Sequence, residues 1–329
     1  MYQISLDEVR ALLAGHNLLR EIAAAPRRQD TRVFTRLSCD SRDAGKGSLF
    51  FVKGLAFKEA YLTEAFAKGL EVYVAERLFE SVAGEAVIVT DVKKAMAVVA
   101  ARFYGSPQEK LRLIAFTGTK GKTTAAYFTK HILDYSTGKK TALVSTIDTT
   151  LDGVHYAKSQ LTTPESLDLF RMMAAAVENG MKCMVVEVSS QAYKTDRVYG
   201  LRFDLGAFLN ISPDHIGPVE HSSFEDYFFC KRQLLRNSNR VILNRNSDHF
   251  DRLLEETAGK KAYIYGTDEK GVHVYGEPSP DDPLGFTVKP GELSGLEDIC
   301  GGYKLKLAGG FNRENAVAAA VAARLAGAA

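Results

Sequence analysis

Short apolar runs alternate along this chain with segments whose apolar residues recur every three or four positions, which predicts strands and helices in turn. Residues 5–24 carry Leu6, Val9, Leu12 and Leu13 at helical spacing and read as a helix. Strand-like runs follow at 48–52 and 72–74. Between them, residues 60–68 have helical character and end at Gly69, a residue suited to a helix C-terminus. Residues 87–89 read as another strand and 93–104 as a helix, stopped by the breaker Gly105-Ser106-Pro107. That breaker divides the chain into an N-terminal domain, 1–107, and a second domain, 108–329.

Beyond the breaker the rhythm is more regular. Strands are expected at 112–116, 141–145, 183–188, 205–209 and 240–243, and helices at 125–133, 167–179 and 224–236. Strands alternating with helices predict an α/β fold with a doubly wound, mostly parallel sheet. After Lys260 short β-like pieces at 262–265, 272–275, 285–289 and 303–307 predict a small antiparallel extension. Residues 316–329 are rich in alanine but carry Arg324, so they read as a helix of soluble character. No internal repeat or low-complexity tract is found.

Composition narrows the function. At 329 residues about two domains are expected, and 46% hydrophobic residues suffice to fill their cores. A net charge of +2, with no basic block, argues against a nucleic-acid partner. The N-terminal residues lack the basic and apolar regions of a signal peptide, and no apolar run of about 18 residues predicts membrane insertion. Cys39, Cys183, Cys230 and Cys300 are scattered, which points to a reducing, cytoplasmic compartment rather than to disulfides or structural zinc.

The richest chemistry lies at Gly118-Thr119-Lys120-Gly121-Lys122-Thr123-Thr124, between the apolar run 113–116 and a helical segment. A strand, a glycine turn and a helix start form an anion cradle, because backbone N–H groups there point at phosphate oxygens. In such a loop Lys122 lies along the β- and γ-phosphates of a nucleoside triphosphate and the Thr123 hydroxyl ligates Mg²⁺. The loop departs from the common phosphate-binding pattern at Phe116, where a glycine is usual.

Four clusters follow. Glu187-Val188-Ser189-Ser190 ends an apolar strand, where an acid is placed for Mg²⁺, or is simply a strand terminus facing solvent. Asn210-Ile211-Ser212-Pro213-Asp214-His215 ends another. His215 shares the strand-end position of Glu187, Asp214 is placed to orient it, and His221 and His249 read as structural. Lys231, in the helical segment 224–235, reads by composition as a surface lysine. Thr162-Thr163-Pro164-Glu165 either caps a helix or holds a ligand anion.

With these residues in view, the chain resembles the Mur ligases, the ATP-dependent amino-acid ligases of peptidoglycan synthesis, over nearly its whole length. The family loop Gly-Thr-x-Gly-Lys-Thr-Thr is complete at 118–124, which accounts for Phe116. Thr162 to Glu165, Glu187 to Ser190, Asp40-Ser41-Arg42 and Gly47-Ser48-Leu49-Phe50 are similar to the MurE-type branch, the UDP-N-acetylmuramoyl-L-alanyl-D-glutamate ligases. Asn210 to His221, Phe224 to Tyr227 and Lys231-Arg232 are most like its lysine-adding form.

The resemblance implies a small N-terminal α/β domain that recognises the UDP portion of the substrate, followed by a phosphate-loop ATPase domain. It implies ATP and Mg²⁺ as cofactors, UDP-N-acetylmuramoyl dipeptide and a free diamino acid as partners, and a monomer. It assigns ATP to the loop residues and Asn312, and the UDP substrate to Ser41, Thr162, Thr163, Ser189 and Arg197. Metal positions are Thr123, Glu187, His215 and Lys231, the last carbamylated by CO₂ into an anionic oxygen ligand. Lys122, Lys231 and His215 become the catalytic candidates.

Two departures stand out. Gln191 replaces the histidine usual after Glu-Val-Ser-Ser, and the family's C-terminal amino-acid-binding domain is absent from these 329 residues. The expectation is therefore a fragment, a split protein or a two-domain piece, inactive alone. The alternatives are a module that binds ATP and UDP-sugar peptide without turnover, and a folylpolyglutamate synthase-like ligase, which the Asp-Ser-Arg segment ahead of the loop disfavours.

Overall fold

The apolar runs of the chain become strands in a computed structural model that describes residues 2–23, 32–54, 57–82, 84–218 and 220–328. Ala329, included above in the C-terminal helix, and residue 24, included in the first helix, lie outside the described residues. Two compact units result. One comprises Met1–Pro107 with Glu165–Ala174 and Thr195–Gly200; the other comprises Gln108–Pro164, Ala175–Lys194 and Leu201–Ala329.

In the first unit β1 (Ile4–Ser5) leads into α1 (Leu6–Gly15), where Ser5 accepts from the Glu8 N–H and Glu8 answers on the Ser5 N–H, a reciprocal cap. The helix expected over 5–24 thus ends early. Asn17 takes a left-handed turn (φ 56°), and the chain re-enters as β2 (Leu19–Ala23). Then come β3 (Val33–Phe34), β4 (Arg36–Ser38), β5 (Ser48–Phe51), α2 (Glu59–Ala67), β6 (Val72–Ala75), β7 (Glu85–Val89) and α3 (Val92–Phe103). Among the described residues the main sheet has the order β2-β7-β6-β5-β4, parallel except for the edge strand β2. Its strands β5 and β6 are buried along their whole length, as parallel strands covered on both faces are. A cavity of about 450 Å³ opens beyond their carboxyl ends, lined by Gly54, Phe57, Arg77, Phe79 and Lys93 among others.

In the second unit β8 (Arg112–Thr117) runs into α4 (Lys122–Thr137) through the glycine turn. There follow β9 (Ala142–Val144), β10 (Asp148–Thr150), β11 (Ala157–Lys158), α5 (Ser166–Glu178), which crosses the division between units, β12 (Cys183–Glu187) and α6 (Ser190–Lys194). Then come β13 (Phe203–Phe208), α7 (Phe224–Arg236), β14 (Ser238–Asn244), α8 (Phe250–Glu255) and β15 (Lys261–Gly266). The unit ends with β16 (Val274–Pro278), β17 (Gly285–Pro290), β18 (Gly301–Lys304) and α9 (Gly310–Leu325).

Among the described residues its strands form one sheet, β11-β10-β9-β12-β8-β13-β14-β15-β16-β17-β18. The strands from β9 to β16 are parallel, so the fold is the doubly wound α/β sheet expected. Residues 262–265, expected in the antiparallel extension, instead continue the parallel block as β15; the antiparallel part is β16-β17-β18. A second antiparallel edge, β10 and β11, was not anticipated, because strands of two and three residues leave no readable period.

β8 sits among β12 and β13, buried from Leu113 to Thr117, so its carboxyl end and the glycine turn lie at the middle of the sheet. Helix α9 packs against α4, and its alanines between Ala316 and Ala323 are buried.

Candidate functional site

The glycine turn is shaped by backbone demands that only glycine meets cheaply. Gly118 (φ 153°) and Gly121 (φ 86°) lie in the region of positive φ, and Gly121 serves as the N-cap of α4. A Cβ at Gly121 would sit 2.4 Å from Asn315 Oδ1, so the turn is also pressed against α9. The turn is tied to the next strand end: Asn210 accepts from the Lys120 N–H at 2.9 Å and donates to the Lys120 carbonyl at 3.0 Å.

Two lysines converge on it. Lys122 Nζ donates to the carbonyls of Gly118 (2.8 Å) and Thr119 (3.1 Å), and Lys231 Nζ donates to the same Gly118 carbonyl at 2.8 Å. Lys231 is 2% exposed and stands over the Tyr227 ring, 4.8 Å from its centre. It therefore is not the surface lysine that composition alone suggests. Tyr227, Lys231 and Leu234 share one buried stripe of α7 at helical spacing, a signal that was present in the sequence. Burial first, and the neighbouring Lys122 second, push the Lys231 amine well below the usual lysine range. Burial also lowers Lys122, partly offset by Glu187 and Asp214.

Glu187 is fully buried at the end of β12, adjacent to β8, and does not face solvent. Its Oε2 accepts from the Thr123 hydroxyl at 3.0 Å. Thr146 completes its surroundings, with its N–H 2.9 Å from Oε1 and its hydroxyl 3.0 Å from Oε2. Thr124 follows on α4, half-buried. Thr119 joins the turn to α7 and the 210–215 loop, its hydroxyl 3.1 Å from the Tyr227 hydroxyl and 3.0 Å from the Ser212 N–H. Burial pushes Tyr227 up to about 12, keeping the phenol protonated.

His215 has a left-handed backbone (φ 54°) and a half-exposed ring whose centre is 6.1 Å from that of Tyr227. Its Nδ1 pairs with Glu220 at 3.0 Å. Asp214, the expected orienting acid, instead accepts the His215 backbone N–H and stays 3.8 Å from Nε2. His221 is buried, with Nε2 2.9 Å from Ser190 Oγ and Nδ1 3.1 Å from Asp226. Burial lowers it, opposed by Asp226.

Thr163 is fully buried. Its hydroxyl donates to the Glu187 carbonyl at 2.9 Å and accepts from the Ser189 N–H at 3.0 Å, so it pins the end of β12. Thr162 lies beside Thr146, hydroxyl to hydroxyl at 3.1 Å. Asn312 stands on the first turn of α9, where its side-chain amide donates to the Ala308 carbonyl. A cavity of about 130 Å³ beside the turn is lined by Phe311, Glu314 and Asn315, which share with Asn312 the segment that resembles the family's adenine side, and by Asn244 and Asn246, which no motif singled out. In the first unit Ser41 is half-buried in the turn after β4, its carbonyl 3.4 Å from Lys68 Nζ. Also in that unit, Arg197 pairs with Glu165 at 3.1 Å and Glu165 with Lys53 at 2.9 Å. Thus Lys122, Thr123, Glu187 and Lys231 gather at the turn, and His215 is reached from it through Tyr227.

The chain is similar to known proteins in sequence and in fold. The sequence pattern of the Mur ligase middle domain matches residues 116–323. The chain is 53% identical to the UDP-N-acetylmuramoyl-L-alanyl-D-glutamate--L-lysine ligase of Enterococcus faecalis, over 99% of this chain and 66% of that protein. Its fold resembles the structure of a UDP-N-acetylmuramoyl-L-alanyl-D-glutamate--2,6-diaminopimelate ligase, with a TM-score of 0.78 at 23% identity, covering 99% of this chain and 64% of the other. It also resembles the MurF ligase of Thermotoga maritima in complex with ADP, with a TM-score of 0.56 at 18% identity, covering 89% and 64%. The chain thus spans just under two thirds of the length of these proteins. Among the described residues no helix is long and apolar enough to cross a membrane.

Proposed function

The chain belongs to the Mur ligase family, and from that premise we propose that it serves the ATP-dependent addition of a diamino acid, L-lysine, to UDP-N-acetylmuramoyl-L-alanyl-D-glutamate in peptidoglycan precursor synthesis. The observation that carries the reading is the convergence on one turn of a buried and a half-buried lysine, a hydroxyl and a buried acid. The turn's N–H groups and the start of α4 bind the ATP phosphates, and Lys122 leaves the loop carbonyls to meet the β- and γ-oxygens. The γ-carboxylate of D-glutamate attacks the γ-phosphorus in line, ADP leaves, and an acyl-phosphate results. The lysine amine then displaces phosphate and an amide forms.

The donor set fits a hard divalent cation: the Thr123 hydroxyl lies 3.0 Å from a Glu187 oxygen beside the phosphate turn. Thr123, Glu187, His215 and a carbamylated Lys231 would hold Mg²⁺, which supplies charge neutralisation at the transferring phosphoryl group. While protonated, Lys231 has no lone pair to offer a cation or CO₂. Its lowered pKa favours the neutral amine, which can add CO₂ and release a proton to give an anionic carbamate. Glu220 holds Nδ1 of His215 and so orients its ring. Thr162, Thr163 and Ser189, with Ser41 and Arg197, are proposed to contact the UDP-sugar peptide, and Asn312, with the cavity beside it, the adenine end of ATP.

The test is direct. The chain is incubated with ATP, Mg²⁺, UDP-N-acetylmuramoyl-L-alanyl-D-glutamate and L-lysine, and the products are resolved by mass spectrometry. Substrate-dependent release of ADP without the UDP-linked tripeptide is the expected result, in keeping with the expectation that the chain alone does not complete the ligation. Binding of both substrates by calorimetry without ADP release would reduce the reading to a binding module, as the spans of the relatives allow.

A further inference from the structure

Glu187 is held by a residue outside every motif of the site. Thr146, in the turn between β9 and β10, donates its N–H to Oε1 at 2.9 Å, and its hydroxyl lies 3.0 Å from Oε2. The same hydroxyl donates to that of Thr162 at 3.1 Å, and Thr123 donates to Oε2 at 3.0 Å. Thr162, Thr146, Glu187 and Thr123 therefore form an unbroken run from the Thr-Thr-Pro-Glu segment to the helix of the phosphate turn. A threonine hydroxyl has one proton to donate and lone pairs to accept with. The Thr146 proton has two acceptors within reach and serves one at a time.

We infer that Thr146 is a positioning residue that couples the sugar-peptide side of the site to its cation side through this choice; the inference rests on the function proposed above. When the Thr146 proton goes to Glu187, Oε2 is occupied by two donors. When a bound substrate accepts the Thr162 proton, Thr162 becomes the acceptor for Thr146, and Oε2 is released toward a cation. The N–H on Oε1 is unaffected, so the carboxylate keeps its place while its available lone pair changes. By linkage the effect is reciprocal: a cation on Oε2 turns the Thr146 proton to Thr162 and frees the Thr162 proton for the substrate. Because Glu187 is fully buried, water does not readily replace the donor it loses.

Calorimetry on the 329-residue chain tests this with a non-hydrolysable ATP analogue and Mg²⁺, titrated with and without saturating UDP-N-acetylmuramoyl-L-alanyl-D-glutamate. The ratio of the two dissociation constants is the coupling. We expect about five-fold tighter nucleotide binding in the presence of the dipeptide substrate, the low end for coupled sites. The ratio should survive in Thr146→Ser, which keeps the hydroxyl, and fall to about one in Thr146→Val and in Thr162→Val. Thermal melts establish that the variants are folded. A Thr146→Val protein that melts lower yet keeps the ratio has lost only a structural contact, and the inference is then wrong. A wild-type chain that binds both ligands with a ratio of one overturns it as well. If the wild-type chain binds neither ligand, the proposed function itself fails, and the relay with it.

Discussion

At the scale of single residues, Lys122 and Asp226 make opposite uses of charge. Lys122 is a half-buried cation that donates to two loop carbonyls, an arrangement that awaits a phosphate. Lys122→Ala should lower substrate-dependent ADP release by about 10²- to 10³-fold, as loss of one preorganised cationic donor does. ADP release at the wild-type rate would remove Lys122 from the chemistry. Asp226 is bonded to Lys194 at 2.6 Å and to His221, and Lys194 chiefly holds its carboxyl at about 2. Because the folded value lies below the unfolded one, the stabilisation is complete above the ordinary carboxyl range and is lost as pH falls through about 2. Asp226→Asn should therefore lower Tm by about 2 °C near neutral pH, and the gap should close as pH drops toward 2. A gap that widens in acid would contradict the assignment.

At the scale of elements, the contact of α4 with α9 decides the shape of the phosphate turn. Gly121 joins a left-handed backbone to a close approach by Asn315, two demands that no other residue type satisfies together. Gly121→Ala should cost about 1–3 kcal/mol in stability and weaken nucleotide binding at the same time, measured by denaturant unfolding and by calorimetry. Gly138→Ala, at the far end of α4 with nothing within 4 Å of the new Cβ, should carry only the backbone strain of its own left-handed turn. It should leave nucleotide affinity unchanged. Equal losses of affinity in the two variants would show that the Asn315 contact is immaterial. The phosphate turn was readable in the sequence because strand, glycines and helix start are consecutive. The approach of Asn315 to Gly121 and the nearness of Asn244 were not, because these residues meet the turn from distant elements.

At the scale of the whole molecule, the two units are not consecutive stretches of chain. Residues 165–174 and 195–200 belong with the first unit, and they supply Glu165 and Arg197, the former paired with Lys53. A fragment ending at Pro107, where the breaker would place the boundary, leaves Lys53 without that partner. It should melt several degrees below the first transition of the intact chain, as a unit stripped of packed segments does. An identical melting temperature would mean that the later segments add nothing to it.

What the amino-acid order determined alone was whatever is local. The buried run of β8, the glycines of the turn, the capping of α1 by Ser5 and Glu8, and the strand–helix alternation each depend on neighbours a few positions apart, and backbone sterics act at that range. What only the tertiary structure decided was the environment of each polar group. Lys231 is a buried amine because β8 and the phosphate turn close over the face of α7 on which it sits. Thr146 reaches Glu187 because β9 is paired with β12. Glu220, not Asp214, takes the His215 ring because of how the loop returns. Burial and proximity across the sheet set the charge state and partners of a side chain, and neither quantity is written in the residues beside it.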